Sequence, residues 1–260
     1  MGVLANRLAR EAKDIRILTI DIETKPMTVY SWGLFNQFHS IDQIVDHGGL
    51  LCFAAKWMGD KEVLFYSEWD DGLEAMVKAA HALLSEADVV VSYNGEKFDV
   101  KRLNQEFMLA GMPPPKPFKN IDVMKSNKAR FELPSRKLDY LVQRTGIGRK
   151  TPHTGFQLWI DCMAGDAKAH RLMRKYNEQD VRITEKIYLR LLPWLTNAPH
   201  LSMYTGHEFA CPYCGKKGLN REGVTHTLVQ SYWLNQCPNC EGWSRSTTRL
   251  QNPTITRPIR

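Results

Sequence analysis

The sequence of 260 residues has no long apolar run, no internal repeat and no low-complexity segment. No stretch approaches the roughly 18 apolar residues that a membrane-spanning helix needs. The first residues, MGVLANRLAREAKDIR, lack the apolar block and small-residue cleavage site of a signal peptide. Asn6 stands where a myristoylation motif requires Ser or Thr. We therefore expect a cytoplasmic protein without a membrane partner.

Cysteine is scarce outside one short region near the C-terminus. Four of the six cysteines form two C-x-x-C pairs there, Cys211 with Cys214 and Cys237 with Cys240. Paired motifs of this kind, without a secretion signal, favour a metal site over a disulfide framework. Cys52 lies in an apolar run, which predicts a buried hydrophobe, and the sequence gives no partner for Cys162.

The basic charge is concentrated in the last fifth of the chain. The formal net charge is +7, and from Gly206 onward seven Lys and Arg residues face three Glu residues. A basic terminal module suits contact with phosphate, although a solvated surface is the plainer interpretation.

The order of predicted elements indicates an α/β sheet with helices on its faces. Strands are predicted first, then alternating helices and strands, and then helices up to Pro193. The predicted strands cover 15–22, 50–57, 62–66, 88–93 and 121–123, and the predicted helices cover 73–87, 98–110, 137–145, 166–175 and 177–192. Because the pattern stops near residues 195–206, we expect one domain over 1–205, a small module over 206–249 and a flexible tail over 250–260.

Two candidate site segments lie where predicted strands end. Asp21 and Glu23 are two residues apart on the first strand, so both carboxylates point to one face and repel each other unless a cation is present. Asp99 follows a buried strand and an Asn-Gly turn, where α/β sheets commonly place their sites. Solvated acids and a helix-capping role for Asp99 are the alternatives.

Asp180 lies on a predicted helical stripe whose other members are apolar or aromatic: Leu172, Tyr176, Ile183, Ile187 and Leu191. A carboxylate among such residues is costly unless it is paired or bound to metal, and the stripe holds no basic residue. Tyr176 precedes Asp180 by one helical turn, so its hydroxyl can reach the same point, or it simply packs in the core.

The segments D-I-E-T, N-G-E-K-F-D and Y-N-E-Q-D, in this order, resemble the DEDD superfamily of 3′–5′ exonucleases over residues 15–195. The tyrosine matches the DEDDy branch, and YNGEKFD is most similar to proofreading domains of family B DNA polymerases and their stand-alone relatives. The resemblance implies a ribonuclease-H-like mixed sheet flanked by helices.

The resemblance also implies roles for these residues. Asp21 would bridge two Mg²⁺ or Mn²⁺ ions, Glu23 and Asp180 would complete the site of the ion that activates water, and Asp99 would hold the second ion. Tyr176 would orient the attacking water, and nucleoside 5′-monophosphates would be released. Thr24, Asn94 and Phe98 match positions that contact the terminal nucleotides. Lys150 is a further candidate phosphate contact, or only a surface lysine.

The two cysteine pairs predict a four-cysteine zinc ribbon, with one structural Zn²⁺ that has no open position for chemistry. A redox C-x-x-C is the alternative. The sequence predicts one strand from Thr225 to Val229 that Gln230 to Leu234 continue. Lys216, Lys217, Arg221, Tyr232 and Trp233 form a basic and aromatic set that can bind nucleic acid; otherwise the module uses zinc only to fold.

We therefore expect an exonuclease with single-stranded DNA or frayed 3′ ends as its substrate. Because polymerase proofreading domains are fused to a polymerase that 260 residues cannot include, a polymerase or repair protein acting in trans is an expected partner. Two alternatives stay open: a non-catalytic nucleic-acid-binding protein on the same fold, and a ribonuclease-H-like endonuclease.

Overall fold

A five-stranded mixed sheet organises the larger part of the chain, in a computed structural model that describes residues 15–251. The strand order is β5-β4-β1-β6-β7. Strand β1 pairs antiparallel with β4 and parallel with β6, so the sheet is mixed. The strands are β1 (Ile17–Lys25), β4 (Gly49–Trp57), β5 (Leu64–Ser67), β6 (Val89–Ser92) and β7 (Lys119–Asp122). The predicted fold class is confirmed.

Helices cover both faces of this sheet. One face packs on α1 (Leu73–Glu86) and α2 (Asp99–Leu109), and the other packs on helices that follow later in the chain. The later helices are α3 (Val123–Arg130), α4 (Leu138–Arg144), α5 (Gln157–Met163) and α6 (Ala167–Leu191). Because side chains alternate along β1, Leu18, Ile20 and Ile22 enter the core under α1 and α2. Asp21 and Glu23 therefore point toward the α6 side.

Helix α6 is continuous over 25 residues. The sequence analysis placed two separate helices at 166–175 and 177–192, and this was wrong. No Gly or Pro interrupts the segment, so nothing in it breaks the helical hydrogen bonding. The continuous helix fixes Tyr176, Asn177 and Asp180 as one rigid set on its sheet-facing side.

The excursion between β1 and β4 contains a short hairpin of β2 (Thr28–Val29) and β3 (Ile44–Asp46). Between the two strands several large apolar side chains face solvent: Tyr30, Trp32, Leu34, Phe35, Phe38 and Ile41. A 3-10 turn, Ile41–Gln43, leads into β3. The sequence analysis assigned no element to this segment.

The chain after Tyr188 contributes to a second compact unit, which is described by itself. It contains a 3-10 turn (Leu192–Trp194), a short helix α7 (Ser202–Thr205) and a three-stranded antiparallel sheet. The strands of this sheet are β8 (Asn220–His226), β9 (Ser231–Gln236) and β10 (Trp243–Arg249). The predicted continuation from Val229 into Gln230 was wrong, because the chain reverses there: the Thr227 N–H donates to the Gln230 carbonyl at 2.8 Å.

The domain limits 1–205 and 206–249 stay predictions, and most of the predicted tail, residues 252–260, lies outside the described residues. Within residues 15–251, no helix combines the length and apolar character needed to cross a bilayer.

Candidate active site and metal centres

Two carboxylates of the candidate site stand at the end of β1. Asp21 and Glu23 lie opposite Ala54 and Cys52 of β4. On the other side, parallel pairing with β6 ends at Thr19, two residues before Asp21. The sheet therefore opens beside the acids, and other groups have room to approach β1 from that side.

Asp180 completes a cluster of three carboxylates. Its side chain comes from α6, and one oxygen each of Asp21, Glu23 and Asp180 lies within 4.8 Å of the others. Asn177, three residues earlier, donates from Nδ2 to Asp21 Oδ2 at 2.7 Å and to the Asp21 carbonyl at 3.2 Å. The amide therefore fixes the Asp21 carboxylate against the helix.

Asp99 approaches the same strand from the start of α2. Its Oδ1 accepts the Ile22 N–H at 3.1 Å, where β1 no longer has β6 as a partner. Asp99 is buried, but its oxygens lie outside the group of three. A Cβ added at Gly95 would lie 2.3 Å from Ser92 Oγ and 3.0 Å from Asp99 Oδ2, so this turn requires glycine.

The four acids raise one another's pKa. Burial first, and then the charges of Asp99, Asp180 and Glu23, hold the pKa of Asp21 well above its usual range. Burial and Asp180 raise the pKa of Glu23 to about 8, and burial raises that of Asp99 to about 6. The pKa of Asp180 is also raised, chiefly by burial. Such a group is stable only when protons or cations neutralise part of its charge.

Lys150 supplies one cation to the cluster. Its Nζ donates to Asp180 Oδ2 at 2.5 Å and to the Tyr176 hydroxyl at 3.1 Å. Burial alone would lower the pKa of Lys150, but Asp180 and Tyr176 raise it above the usual value. The expectation that Asp180 has no basic partner was wrong, because the lysine comes from a loop 30 residues earlier rather than from the stripe.

The Tyr176 hydroxyl also lies at the cluster, as its spacing from Asp180 indicated. The ring packs edge-on against His153 and Trp159, at centroid distances of 4.9 and 6.2 Å. Burial, followed by the charge of Asp180, raises the pKa of Tyr176, so the phenol stays protonated at neutral pH. A protonated hydroxyl held rigidly beside the acids can direct a hydrogen bond to a bound molecule.

A groove of about 830 Å³ opens beside the cluster. Asp21, Lys150, His153 and Tyr176 line one part of it, and residues 133–139 with Tyr93 line the rest. Basic side chains from this second part, Arg136 and Lys137, stand beside the acids in the same groove. The arrangement gives an anionic polymer both a binding surface and access to the carboxylates.

The other predicted contacts lie on neighbouring turns. Thr24 follows an irregularity in the pairing of β1 with β4. Asn94 adopts a positive φ of 71°, and its N–H donates to Asp122 Oδ1 at 2.9 Å. Phe98 is 39% exposed, with the Arg102 guanidinium 5.7 Å from its ring centre.

Sequence reasoning missed four residues that support the site. Asn177 and His153 contact or border Asp21 and Tyr176, Trp159 gives Glu23 a hydrogen bond, and Asp122 holds the Asn94 turn and caps α3. Asn177 was within reach of pattern reasoning, because it is a polar residue next to the helical stripe that carries Asp180.

Four sulfur atoms meet in the second unit. Cys211 Sγ lies 3.6 Å from Cys240 Sγ, and Cys214 Sγ lies 3.7 Å from Cys237 Sγ. A tetrahedron with zinc–sulfur bonds of about 2.3 Å has sulfur–sulfur edges of about 3.8 Å, so the cluster fits a zinc ribbon. Burial raises the pKa of Cys237, but the Cys240 and Asn239 N–H groups donate to the sulfur and bring the pKa below its usual value.

Comparison with known proteins identifies the class of this fold and site. A model of the RNase H superfamily matches residues 46–192, which is more than half of the chain. The protein belongs to this superfamily. Its members of the nuclease type use divalent metal ions, in agreement with the acidic cluster and a nuclease-type function.

Among solved structures, 173 chains match the fold. One is the family B DNA polymerase from the hyperthermophilic archaeon Pyrobaculum calidifontis, with a TM-score of 0.51 and 16% identity. The match covers 84% of this chain and 32% of the polymerase, so the chain spans about a third of that protein. Among curated proteins, none matches the sequence.

Proposed function

We propose that the protein is a metal-dependent 3′–5′ exonuclease that shortens single-stranded DNA and releases nucleoside 5′-monophosphates. The observation that carries the proposal is the convergence of Asp21, Glu23 and Asp180, from two elements, on one point beside the Tyr176 hydroxyl. Isolated structural acids have no need of such convergence, because each adds repulsion to the others.

The donor set fits divalent metal. Carboxylate oxygens are the ligands that Mg²⁺ and Mn²⁺ prefer, and four buried carboxylates give a charge that one lysine does not balance. Among the described residues, Asp180 Oδ1 is a buried oxygen without a hydrogen-bond partner, which leaves it free to ligate an ion. Asp21, Glu23 and Asp180, with Asp99 behind them, would hold two ions. When bound, these ions supply Lewis-acid stabilisation of a scissile phosphate.

The protein's own groups then divide the remaining work. Asn177 keeps the Asp21 carboxylate oriented, and the Ile22 N–H does the same for Asp99. The Tyr176 hydroxyl orients the attacking water by a hydrogen bond. Lys150, which contacts Asp180, is placed to move onto a substrate phosphate once metal neutralises that carboxylate. Thr24, Asn94 and Phe98 would hold the terminal nucleotides, with Phe98 offering a partly exposed ring for stacking.

The experiment that tests this function uses a 5′-labelled single-stranded DNA oligonucleotide with Mg²⁺ or Mn²⁺. We expect a ladder that shortens from the 3′ end, and its loss in the variant Asp21→Ala, Glu23→Ala. A matched control is Asp60→Asn, Glu62→Gln, which changes two exposed acids with the same spacing and should leave the ladder intact.

Two further substrates separate the alternatives. Cleavage of circular single-stranded DNA would show an endonuclease, and faster shortening of a matched RNA would make RNA the substrate. Binding without cleavage of any substrate in either metal would contradict the proposal and favour a non-catalytic binding protein. Addition of a family B polymerase tests whether the protein acts in trans, since a partner of that class should increase removal of mismatched 3′ ends.

A further inference from the structure

The β8–β10 sheet carries two arginines stacked on aromatic rings. The Arg245 guanidinium lies 4.3 Å from the Tyr232 ring centre, and the Arg221 guanidinium lies 4.0 Å from that of Trp233. Stacking holds a guanidinium flat while its N–H groups stay at the edge, available to another partner. Two such pairs in so small a sheet concentrate planar cationic groups.

The register of the strands sorts these groups onto two faces. Tyr232 and Trp233 are neighbours on β9, so their rings point to opposite sides. Arg249 pairs directly with Tyr232, which puts a second arginine on the side of Tyr232 and Arg245. We call the surface formed by Tyr232, Arg245 and Arg249 the Tyr232 face.

The cations of this face have no acidic partner among the described residues. The ion pairs found within residues 15–251 all join side chains between Arg16 and Glu185, and none involves Arg245 or Arg249. Both arginines are exposed. An unpaired, exposed cationic surface with planar groups is complementary to a chain that is anionic and offers flat rings.

We propose that the Tyr232 face binds single-stranded nucleic acid, with Arg249 and the edge of Arg245 on phosphates and a base stacked on the outer side of the Arg245 guanidinium. Single strands expose both chemical features, whereas a duplex hides its bases. The inference deepens the proposed function, on which it rests for the class of polymer, by giving the ribbon a role in holding the strand.

Binding is measured on the full chain by fluorescence anisotropy of a labelled 20-nucleotide single strand. The background variant Asp21→Asn, Glu23→Gln removes cleavage, and the buffer contains zinc-loaded protein without Mg²⁺ or Mn²⁺. We expect Arg245→Ala, Arg249→Ala to weaken binding about tenfold at low salt. It should also reduce the slope of log affinity against log salt by about 1.4, because two phosphate contacts are lost from a single strand.

Three controls make the result specific. The variant Lys168→Ala, Arg171→Ala removes two exposed charges from the first turn of α6 and should leave affinity nearly unchanged. Arg245→Lys keeps the charge but loses the planar group, so its affinity should fall between those of the parent and the double variant. A zinc content of one per chain and an unchanged circular dichroism spectrum verify that each variant is folded.

Unchanged affinity and salt slope in Arg245→Ala, Arg249→Ala would overturn the proposal and make an acidic protein surface the occupant to examine. Equal losses in both alanine pairs would also overturn it, because they would reveal only a diffuse charge effect. If the wild-type chain fails to shorten DNA but the specific loss of binding persists, the ribbon proposal survives and the exonuclease proposal fails.

Discussion

At the scale of single residues, the acid cluster links protonation to folding. Glu23 has an ordinary pKa of 4.5 that rises to about 8, and the pKa of Asp99 rises to about 6. A raised pKa means that the folded protein holds the proton more tightly than the unfolded chain. The resulting stability is complete below about pH 4 and is lost as the pH rises through 6 and 8.

We predict that the protein without Mg²⁺ or Mn²⁺, but with zinc retained, is less stable at pH 8 than at pH 5.5. The expected loss is about 2 kcal/mol, or roughly 4–8 °C in melting temperature. Added Mn²⁺ should restore more stability at pH 8 than at pH 5.5, since it replaces protons that have dissociated. Thermal melts at both pH values measure this, and Asp21→Asn, Glu23→Gln should flatten both effects. A melting temperature that rises between pH 5.5 and 8 would be the contrary result.

Lys150 competes with metal for Asp180. Its Nζ lies 2.5 Å from Asp180 Oδ2, an oxygen that an ion would need. We predict that Lys150→Met raises the affinity for Mn²⁺ about fivefold, equivalent to about 1 kcal/mol for a partly exposed pair. The turnover at saturating metal should fall, because a phosphate contact is removed. Titration calorimetry without substrate measures the affinity.

Lys125→Met is the matched control, since that lysine pairs with Glu96 outside the cluster and should leave Mn²⁺ affinity unchanged. If Lys150→Met binds Mn²⁺ no more tightly than the wild type, the ion pair is not an obstacle to metal binding.

At the scale of elements, the turn from β6 to α2 places Asp99. Gly95 packs against Ser92, and the Val100 N–H donates to the Gly95 carbonyl at 2.9 Å, which closes the turn before Asp99. We predict that Gly95→Ala destabilises the fold by about 2–3 kcal/mol through overpacking. It should lower activity further, because the added methyl also approaches Asp99 Oδ2.

The double variant Ser92→Gly, Gly95→Ala removes the atoms that the new methyl would meet and should recover most of the stability. Urea unfolding of the three proteins measures these differences. Equal stability of wild type and Gly95→Ala would mean that the turn moves at little cost, and that its position does not depend on glycine.

Elements with local patterns were predictable from the sequence. The alternation along β1 indicated one face for Asp21 and Glu23, and the helical spacing of α6 put Asp180 on the sheet side with Tyr176. Contacts made across long separations were not predictable. Asn177 reaches Asp21 across 156 residues and Lys150 reaches Asp180 across 30, and no periodicity in either segment points to the other.

At the scale of the whole molecule, two compact units depend on different sources of stability. The sheet between Arg16 and Tyr188 packs a large apolar core on one face. The β8–β10 sheet has mostly half-buried and exposed side chains, so little apolar burial stabilises it. Its stability must therefore come largely from zinc on four cysteines, for which about 10–16 kcal/mol of apparent binding free energy is typical.

We predict that Cys237→Ser, which removes one zinc ligand without a chelator, unfolds the ribbon and leaves the larger unit folded. Brief trypsin digestion should cut near Lys216, Lys217 and Arg221 in the variant and leave a stable fragment that contains the sheet of Arg16–Tyr188. Zinc-loaded wild type should resist the same cuts. The main melting transition should move by no more than about 2 °C, since the core of the larger unit contains none of these cysteines. Loss of both units together would mean that they fold cooperatively, and zinc would then support the acid cluster as well as the ribbon.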